Sequence, residues 1–163
     1  NIKHVVIQVY DEEDLTPTGR LKSMKKMLEL IGEDTFESLM VDTAVMNLPS
    51  MSFSCIANRM IKDELGYPCG VASSNGTYMW KEAREMWGSD GFTAVNGAGQ
   101  AMAALLWSDL LFTGPIVNLP KIMPAVATAS TMLSTLAFYE TNKMTENPNH
   151  PIFKLFEDFA KKL

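Results

Sequence analysis

The sequence is poor in the residues that build metal and redox sites. It holds two cysteines and two histidines in 163 residues. Cys55 and Cys69 are not at a metal-ligand spacing, and His4 and His150 lie at opposite ends of the chain. The sequence therefore predicts no zinc or haem site.

Positive charge and long apolar runs are also scarce. Lys and Arg number 14 against 19 Asp and Glu, so no basic stripe is available to neutralise phosphates, and we expect no nucleic-acid partner. The longest apolar runs are interrupted by Ser108 and Asp109, and no signal peptide opens the chain. With 47% hydrophobic and 20% charged residues, the composition is typical of one soluble domain, here 1–163, and predicts a cytoplasmic protein.

Short apolar runs alternate with longer amphipathic ones along the chain. Strands are predicted near 3–10, 38–44, 68–73 and 109–113, and each is followed by residues with apolar side chains at helical spacing. Strands that alternate with helices in this way predict a parallel sheet with helices packed outside it. The sequence therefore indicates the α/β class.

Two architectures fit these βα units, an open doubly wound sheet and a (β/α)8 TIM barrel. Both place ligand sites at the carboxyl ends of the strands. Complete barrels take about 250 residues, so this chain would supply half of one. Residues typical of ligand sites follow every predicted strand and favour the barrel: Asp11, Asp42, Asn47, Ser73 to Asn75, Gly114 and Pro115. The chain begins at Asn1, without Met and just before the first strand, which predicts a fragment.

Four stretches of the sequence resemble one known family. They are LMVDTAVMNLP, GYPCGVASSNGTYMW, SDLLFTGPIVN with the proline-interrupted helix after it, and HPIFKLF. In this order they resemble the C-terminal half of the H subunit of tetrahydromethanopterin S-methyltransferase and of bacterial relatives that act on methyltetrahydrofolate. The resemblance covers nearly the whole chain. It implies a pterin-binding TIM barrel of the methyltetrahydrofolate:corrinoid methyltransferase group, to which this half-barrel chain contributes about the last four βα units.

Asp42 interrupts an apolar strand, where a carboxylate is costly unless it is paired or hydrogen-bonded. A pterin ring presents an amide N–H and an exocyclic amine side by side, and these donors match the two oxygens of an ionised carboxylate. The resemblance implies that Asp42 is the aspartate that anchors the pterin at the end of the sixth barrel strand. The alternatives are a helix cap and an inward salt bridge in a loop.

Asn75 lies in the stretch SSNG after the third predicted strand. The pterin is a poor leaving group, so its ring nitrogen must gain a proton or a strong hydrogen bond as the methyl group departs. An amide can provide this hydrogen bond, and the resemblance implies that Asn75 is the catalytic residue. Ser73, Ser74 and Gly76 would make room for the flat ring, and Asn47 would orient its edge. The alternatives are a left-handed turn at Asn75 and a helix cap at Asn47.

Two further features have structural interpretations. The stretch NGAGQ, Asn96 to Gln100, is predicted to open a helix, where it could bind an anion, although a lone GxG favours close packing or a loop. His150, which precedes Pro151, is expected to fix the approach of the last helix.

The expected activity is the transfer of a methyl group between a methyl-tetrahydropterin and the cobalt of a corrinoid. The pterin would be tetrahydrofolate or tetrahydromethanopterin, and a partner protein would carry the corrinoid. Open sheet edges and an exposed apolar interior predict a homodimer or another completing contact, and any membrane complex would be reached through other subunits. The alternatives are a non-catalytic half-barrel interaction domain and another pterin-binding synthase on the same scaffold. The synthase relative uses a lysine where this chain has Asn75.

Overall fold

The computed structural model describes residues 2–32 and 34–163. Its strands form one sheet in the order β1-β2-β3-β4, and every neighbouring pair is parallel. The α/β class and the four predicted strands are confirmed. In chain order the elements are β1 (His4–Gln8), α1 (Pro17–Ile31), β2 (Ser38–Asp42), α2 (Leu48–Leu65), β3 (Cys69–Val71), α3 (Ser73–Tyr78), α4 (Glu82–Leu105), β4 (Leu110–Leu111), a 3-10 turn (Ile116–Asn118), α5 (Leu119–Thr141), α6 (Pro151–Leu155) and α7 (Glu157–Ala160).

Capping residues set the ends of the first helix. Thr16 accepts a hydrogen bond from the Gly19 backbone N–H, Pro17 occupies the first turn, and Gly32 ends the helix with a φ of 78°. Leu21, Met24 and Leu28 are buried at helical spacing, so α1 presents one apolar face to the sheet.

The helices cover one face of the sheet. Ile7 of β1 and Val41 of β2 are buried in a core with side chains of α1 and α2. Val6, which points to the opposite face, is 49% exposed, and its neighbours His4 and Gln8 are also exposed. A parallel sheet covered on one face alone is compatible with part of a barrel, whose strands turn their second face inward.

The NGAGQ stretch does not open a helix. α4 begins at Glu82 and is interrupted at Gly88, where φ is 66°, so residues 96–100 lie well inside its second part. A Cβ at Gly99 would lie 2.7 Å from Thr77 Cγ2 of α3, and one at Gly97 would lie 3.4 Å from Ala125 Cβ of α5. The anion-binding interpretation is therefore wrong, and the close-packing interpretation is confirmed, because these glycines admit neighbouring helices.

The C-terminal elements pack beyond β4. His150 Nδ1 accepts a hydrogen bond from the Ile152 N–H and caps α6. The single last helix expected after Pro151 is divided at Phe156 into α6 and α7, so His150 fixes the start of the first of them. The segment Ile116–Thr141 is long and apolar enough to cross a membrane, by length and composition only, a test that core helices of soluble proteins also pass. A groove of about 640 Å³ runs between β4, α5 and residues 143–150.

Candidate functional site

Asp42 lies at the carboxyl end of β2, where it is 8% exposed. It is in register with Gln8 of β1 on one side and Gly70 of β3 on the other. Gln8 Nε2 donates to Asp42 Oδ2 at 3.2 Å, and the Ala44 N–H donates to Oδ1 at 3.0 Å. Within residues 2–32 and 34–163 the carboxylate meets no cation and caps no helix. Neither of the two structural alternatives is supported.

The environment of Asp42 disfavours its charge. Burial raises the pKa of the Asp42 carboxyl group, and the hydrogen bonds from the Ala44 N–H and the Gln8 amide oppose this rise. Each carboxylate oxygen can accept about two hydrogen bonds, so both oxygens can accept another donor. This carboxylate is suited to a ligand that presents two donors side by side.

Arg20 holds the loop that follows Asp42. Its side chain is 1% exposed. Nε donates to the Thr43 carbonyl at 2.7 Å and Nη2 to the Ala44 carbonyl at 3.2 Å, while Nη1 donates to the carbonyls of Leu15 and Thr16. Ala44 has a φ of 49°, a left-handed conformation that is strained for a residue with a Cβ. The arginine thus connects the loops after β1 and β2 and stabilises the strained segment beside Asp42.

The sequence analysis did not identify Arg20 as part of the site, although its spacing along α1 indicated that it is buried. Arg20, Met24 and Leu28 share the i, i+4, i+8 spacing of the buried stripe of α1. The residue lies among Lys22, Lys25 and Lys26, so it resembles part of a solvated face. Burial lowers the pKa of Arg20, and the carbonyl oxygens around it stabilise the charge.

Asn75 lies in the first turn of α3 and is exposed. Its backbone N–H donates to the Ala72 carbonyl at 2.9 Å, and its own carbonyl accepts from the Met79 N–H at 3.0 Å. Asn75 does not have a positive φ. The alternative interpretation of Asn75 as a left-handed turn residue is therefore wrong. Hydrogen bonding within the described residues leaves the Asn75 side-chain amide free for a ligand.

Ser73 and Ser74 are buried, whereas their neighbour Asn75 is exposed. Ser74 Oγ donates to the Thr113 carbonyl at 2.7 Å and accepts from Gln100 Nε2 at 2.9 Å. Ser73 is fully buried, and its Oγ lacks a hydrogen-bond partner in the part of the chain that the structure describes. The two serines therefore belong to the packing of α3, and Ser74 holds α3 against α4 and the segment after β4.

Gly76 and Asn47 join the two sides of the site. A Cβ at Gly76 would lie 2.9 Å from Val45 Cγ1 and 3.3 Å from the Asn47 carbonyl oxygen. Asn47 caps α2, with its Oδ1 accepting from the Ser50 N–H at 2.9 Å and Ser50 Oγ accepting in return from the Asn47 N–H at 3.0 Å. The predicted cap at Asn47 is confirmed. The glycine sets the spacing between the loop that follows Asp42 and the helix that carries Asn75.

Comparison with known proteins identifies relatives of this chain. The family model described as the tetrahydromethanopterin S-methyltransferase MtrH subunit matches residues 2–145. The H subunit of tetrahydromethanopterin S-methyltransferase from Methanosarcina acetivorans is 25% identical, over 95% of this chain and 54% of the relative. The H subunit from Methanopyrus kandleri is 27% identical, over 78% of this chain and 46% of the relative.

The chain spans about half the length of these relatives. The H subunit from Methanosarcina mazei gives the same proportion, since its 27% identity extends over 87% of this chain and 47% of that protein. The family model covers most of the residues of this chain. The chain therefore belongs to the MtrH family, the family of the H subunit of tetrahydromethanopterin S-methyltransferase.

Proposed function

We propose that this chain is the pterin-binding part of a methyltransferase that moves a methyl group between methyl-tetrahydromethanopterin and a corrinoid carried by a partner protein. The observation that carries the proposal is the presence of two polar groups at the ends of neighbouring strands. One is the buried carboxylate of Asp42, which meets no cation among residues 2–32 and 34–163, and the other is the exposed amide of Asn75. The names of the relatives specify tetrahydromethanopterin, which favours this carrier over tetrahydrofolate.

We also propose that the sheet is part of a (β/α)8 barrel. Three observations support this: helices cover one face of the sheet, β1 and β4 are its outer strands, and the relatives are about twice as long as the aligned region. The groove along β4 and α5 is lined by neither Asp42 nor Asn75. In a barrel the next strand and helix would fill this groove, so we assign it to the fold and not to the substrate.

Asp42 would bind the pterin in its ionised form. The ring amide N–H and the exocyclic amine would each donate to one carboxylate oxygen, in addition to the bonds from Ala44 and Gln8. Charge-assisted hydrogen bonds of this kind are about twice as strong as neutral ones. The cost of burying the charge in the free protein is offset when the ligand supplies its two donors, which links ligand binding to the protonation state of Asp42.

Asn75 would act on the ring nitrogen that carries the methyl group. As the carbon–nitrogen bond breaks, its electron pair stays on this nitrogen, which gains a proton. The amide can donate to the unprotonated nitrogen or accept from the protonated one. Because Asn75 is exposed, water can reach the nitrogen and deliver the proton. The corrinoid, when bound, supplies the cobalt nucleophile, and the chain contributes alignment and this hydrogen bond.

Single-turnover methyl transfer by the full-length protein tests the proposal. Methyl-tetrahydromethanopterin and methyltetrahydrofolate are each mixed with the protein and free cob(I)alamin, and the rise of methylcobalamin absorbance is followed. Transfer from methyl-tetrahydromethanopterin at a rate well above the protein-free control is expected. Binding of this pterin without transfer would indicate a non-catalytic domain, and faster transfer from methyltetrahydrofolate would overturn the choice of carrier.

A further inference from the structure

Two polar residues of the NGAGQ stretch connect α4 to α3 through hydrogen bonds. Asn96 and Gln100 lie one helical turn apart on α4 and are 2% and 0% exposed. Gln100 Nε2 donates to Ser74 Oγ at 2.9 Å, and Thr77 Oγ1 donates to Asn96 Oδ1 at 3.0 Å. Ser74 and Thr77 flank Asn75 in sequence, so both hydrogen bonds hold the helix that presents the exposed amide.

The helix α3 depends on these contacts for its position. It has 6 residues and no side-chain cap, and a helix this short is not stable by itself. Ser74 Oγ also donates to the Thr113 carbonyl at 2.7 Å, and the absence of a side chain at Gly99 lets Thr77 approach α4. The position of Asn75 therefore depends on the buried hydrogen bonds of Ser74 and Thr77 to α4 and on the partly buried bond of Ser74 to Thr113.

Stability alone does not account for glutamine at position 100. Its Oε1 is buried without a hydrogen-bond partner among residues 2–32 and 34–163, and such an atom carries a desolvation cost. An apolar residue of similar volume would avoid that cost, since Ser74 keeps its bond to Thr113. A polar residue kept at a cost in the core is typical of a functional constraint.

We propose that Gln100 and Asn96 are positioning residues that fix the Asn75 amide for methyl transfer. This inference rests on the proposed function. A displacement of a reacting group by about 1 Å can lower a rate about 100-fold, and the loss of either hydrogen bond frees α3 to shift. Substrate affinity is set chiefly by Asp42 on the neighbouring strand, so the displacement should reduce the transfer rate much more than pterin binding.

A double-mutant cycle tests the coupling in the full-length protein. Gln100→Leu, Asn75→Ala and the double variant are compared in single-turnover transfer from methyl-tetrahydromethanopterin to cob(I)alamin, with the pterin Kd measured separately. We expect Gln100→Leu to lower the rate roughly 10- to 100-fold while the Kd stays within about threefold, and to have almost no effect in the Asn75→Ala background. Multiplicative effects in the double variant, or a Kd that rises as much as the rate falls, would overturn the inference.

A second pair of variants covers the case in which Gln100→Leu disturbs folding. Thr77→Val removes the hydroxyl that bonds Asn96 at nearly constant shape, and Thr77→Ser retains it. A slow valine variant beside a serine variant close to the wild-type rate supports positioning, and equal rates for the two contradict it. Wild-type transfer by Asn75→Ala would defeat the proposed role of Asn75 itself. If Asn75→Ala transfers methyl slowly while Gln100→Leu and Thr77→Val transfer it at the wild-type rate, the positioning inference alone is defeated.

Discussion

Replacement of Asp42 by Asn should separate ligand binding from stability. The amide keeps an oxygen for the Ala44 N–H, and the exposed Gln8 side chain can rotate its amide to accept from the new NH₂ group. The shape of the side chain is unchanged, so we expect the fold to be preserved. What is lost is the negative charge that two pterin donors would bind.

The loss of binding follows from the type of hydrogen bond. Hydrogen bonds to charged groups contribute about 1.5–3 kcal/mol, so Asp42→Asn should weaken tetrahydromethanopterin binding by roughly 10- to 150-fold. Calorimetric titration of the full-length protein measures this directly. Asp63→Asn, which makes the same charge change at an exposed position of α2, is the matched control and should bind like the wild type. An unchanged affinity of Asp42→Asn would remove Asp42 from the site.

The stability of Asp42→Asn relative to the wild type should increase with pH, although its affinity for the pterin is reduced. Burial raises the pKa of Asp42 in the folded state, so the folded protein binds a proton that the unfolded chain has already released. The free energy of unfolding of the wild type should therefore fall, relative to Asp42→Asn, as the pH rises from the unfolded pKa through the raised folded pKa. Urea unfolding at pH 4 and pH 7 checks this. A variant that is less stable than the wild type at pH 7, by more than at pH 4, would refute the reasoning.

Three other changes test the supports of the site. Gly76→Ala places a Cβ 2.9 Å from Val45 Cγ1 and should lower the free energy of unfolding by about 1–3 kcal/mol; a thermal melt at the wild-type midpoint would contradict this contact. Arg20→Met leaves the buried Thr43 carbonyl without its donor and should cost about 2–4 kcal/mol in urea unfolding, whereas Lys22→Met on the exposed side should cost little. Burial lowers the pKa of His150, so the neutral form is favoured in the folded state and stability should be lost as the pH falls below about 6.5. His150→Asn, which can also cap α6, should lack this dependence in melts between pH 7.5 and 5.

The periodic elements could be predicted from the sequence because their signals are local. Gly32 and Gly66 end α1 and α2 as the sequence indicates, and each predicted strand contains an observed one. The strands are shorter than predicted at their carboxyl ends. At β3 the cause is visible, because Ser73 already begins a helix and its neighbours pack against α4.

The interior of the site could not be predicted, because it depends on contacts between distant segments. SSNG has the composition of a turn, but Gly76 packs against Val45 and Ser74 bonds Gln100, so the stretch becomes a helix. NGAGQ has the composition of a helix start, yet its glycines serve helix packing. Arg20 resembles a surface residue until its carbonyl partners in the next loop are known. The roles of Asp42 and Asn75 toward a pterin stay predictions.

The most direct test of the central claim is the rate of single-turnover methyl transfer by Asn75→Ala. Alanine is a better helix former than asparagine, so the variant should fold at least as stably as the wild type, because Asn75 lies within α3. The transfer from methyl-tetrahydromethanopterin to cob(I)alamin should nevertheless slow by roughly 10²–10³-fold, the cost of losing one preorganised hydrogen-bond donor. Asn149→Ala, at an exposed loop position, should transfer at the wild-type rate. A folded Asn75→Ala protein that transfers methyl as fast as the wild type would contradict the account.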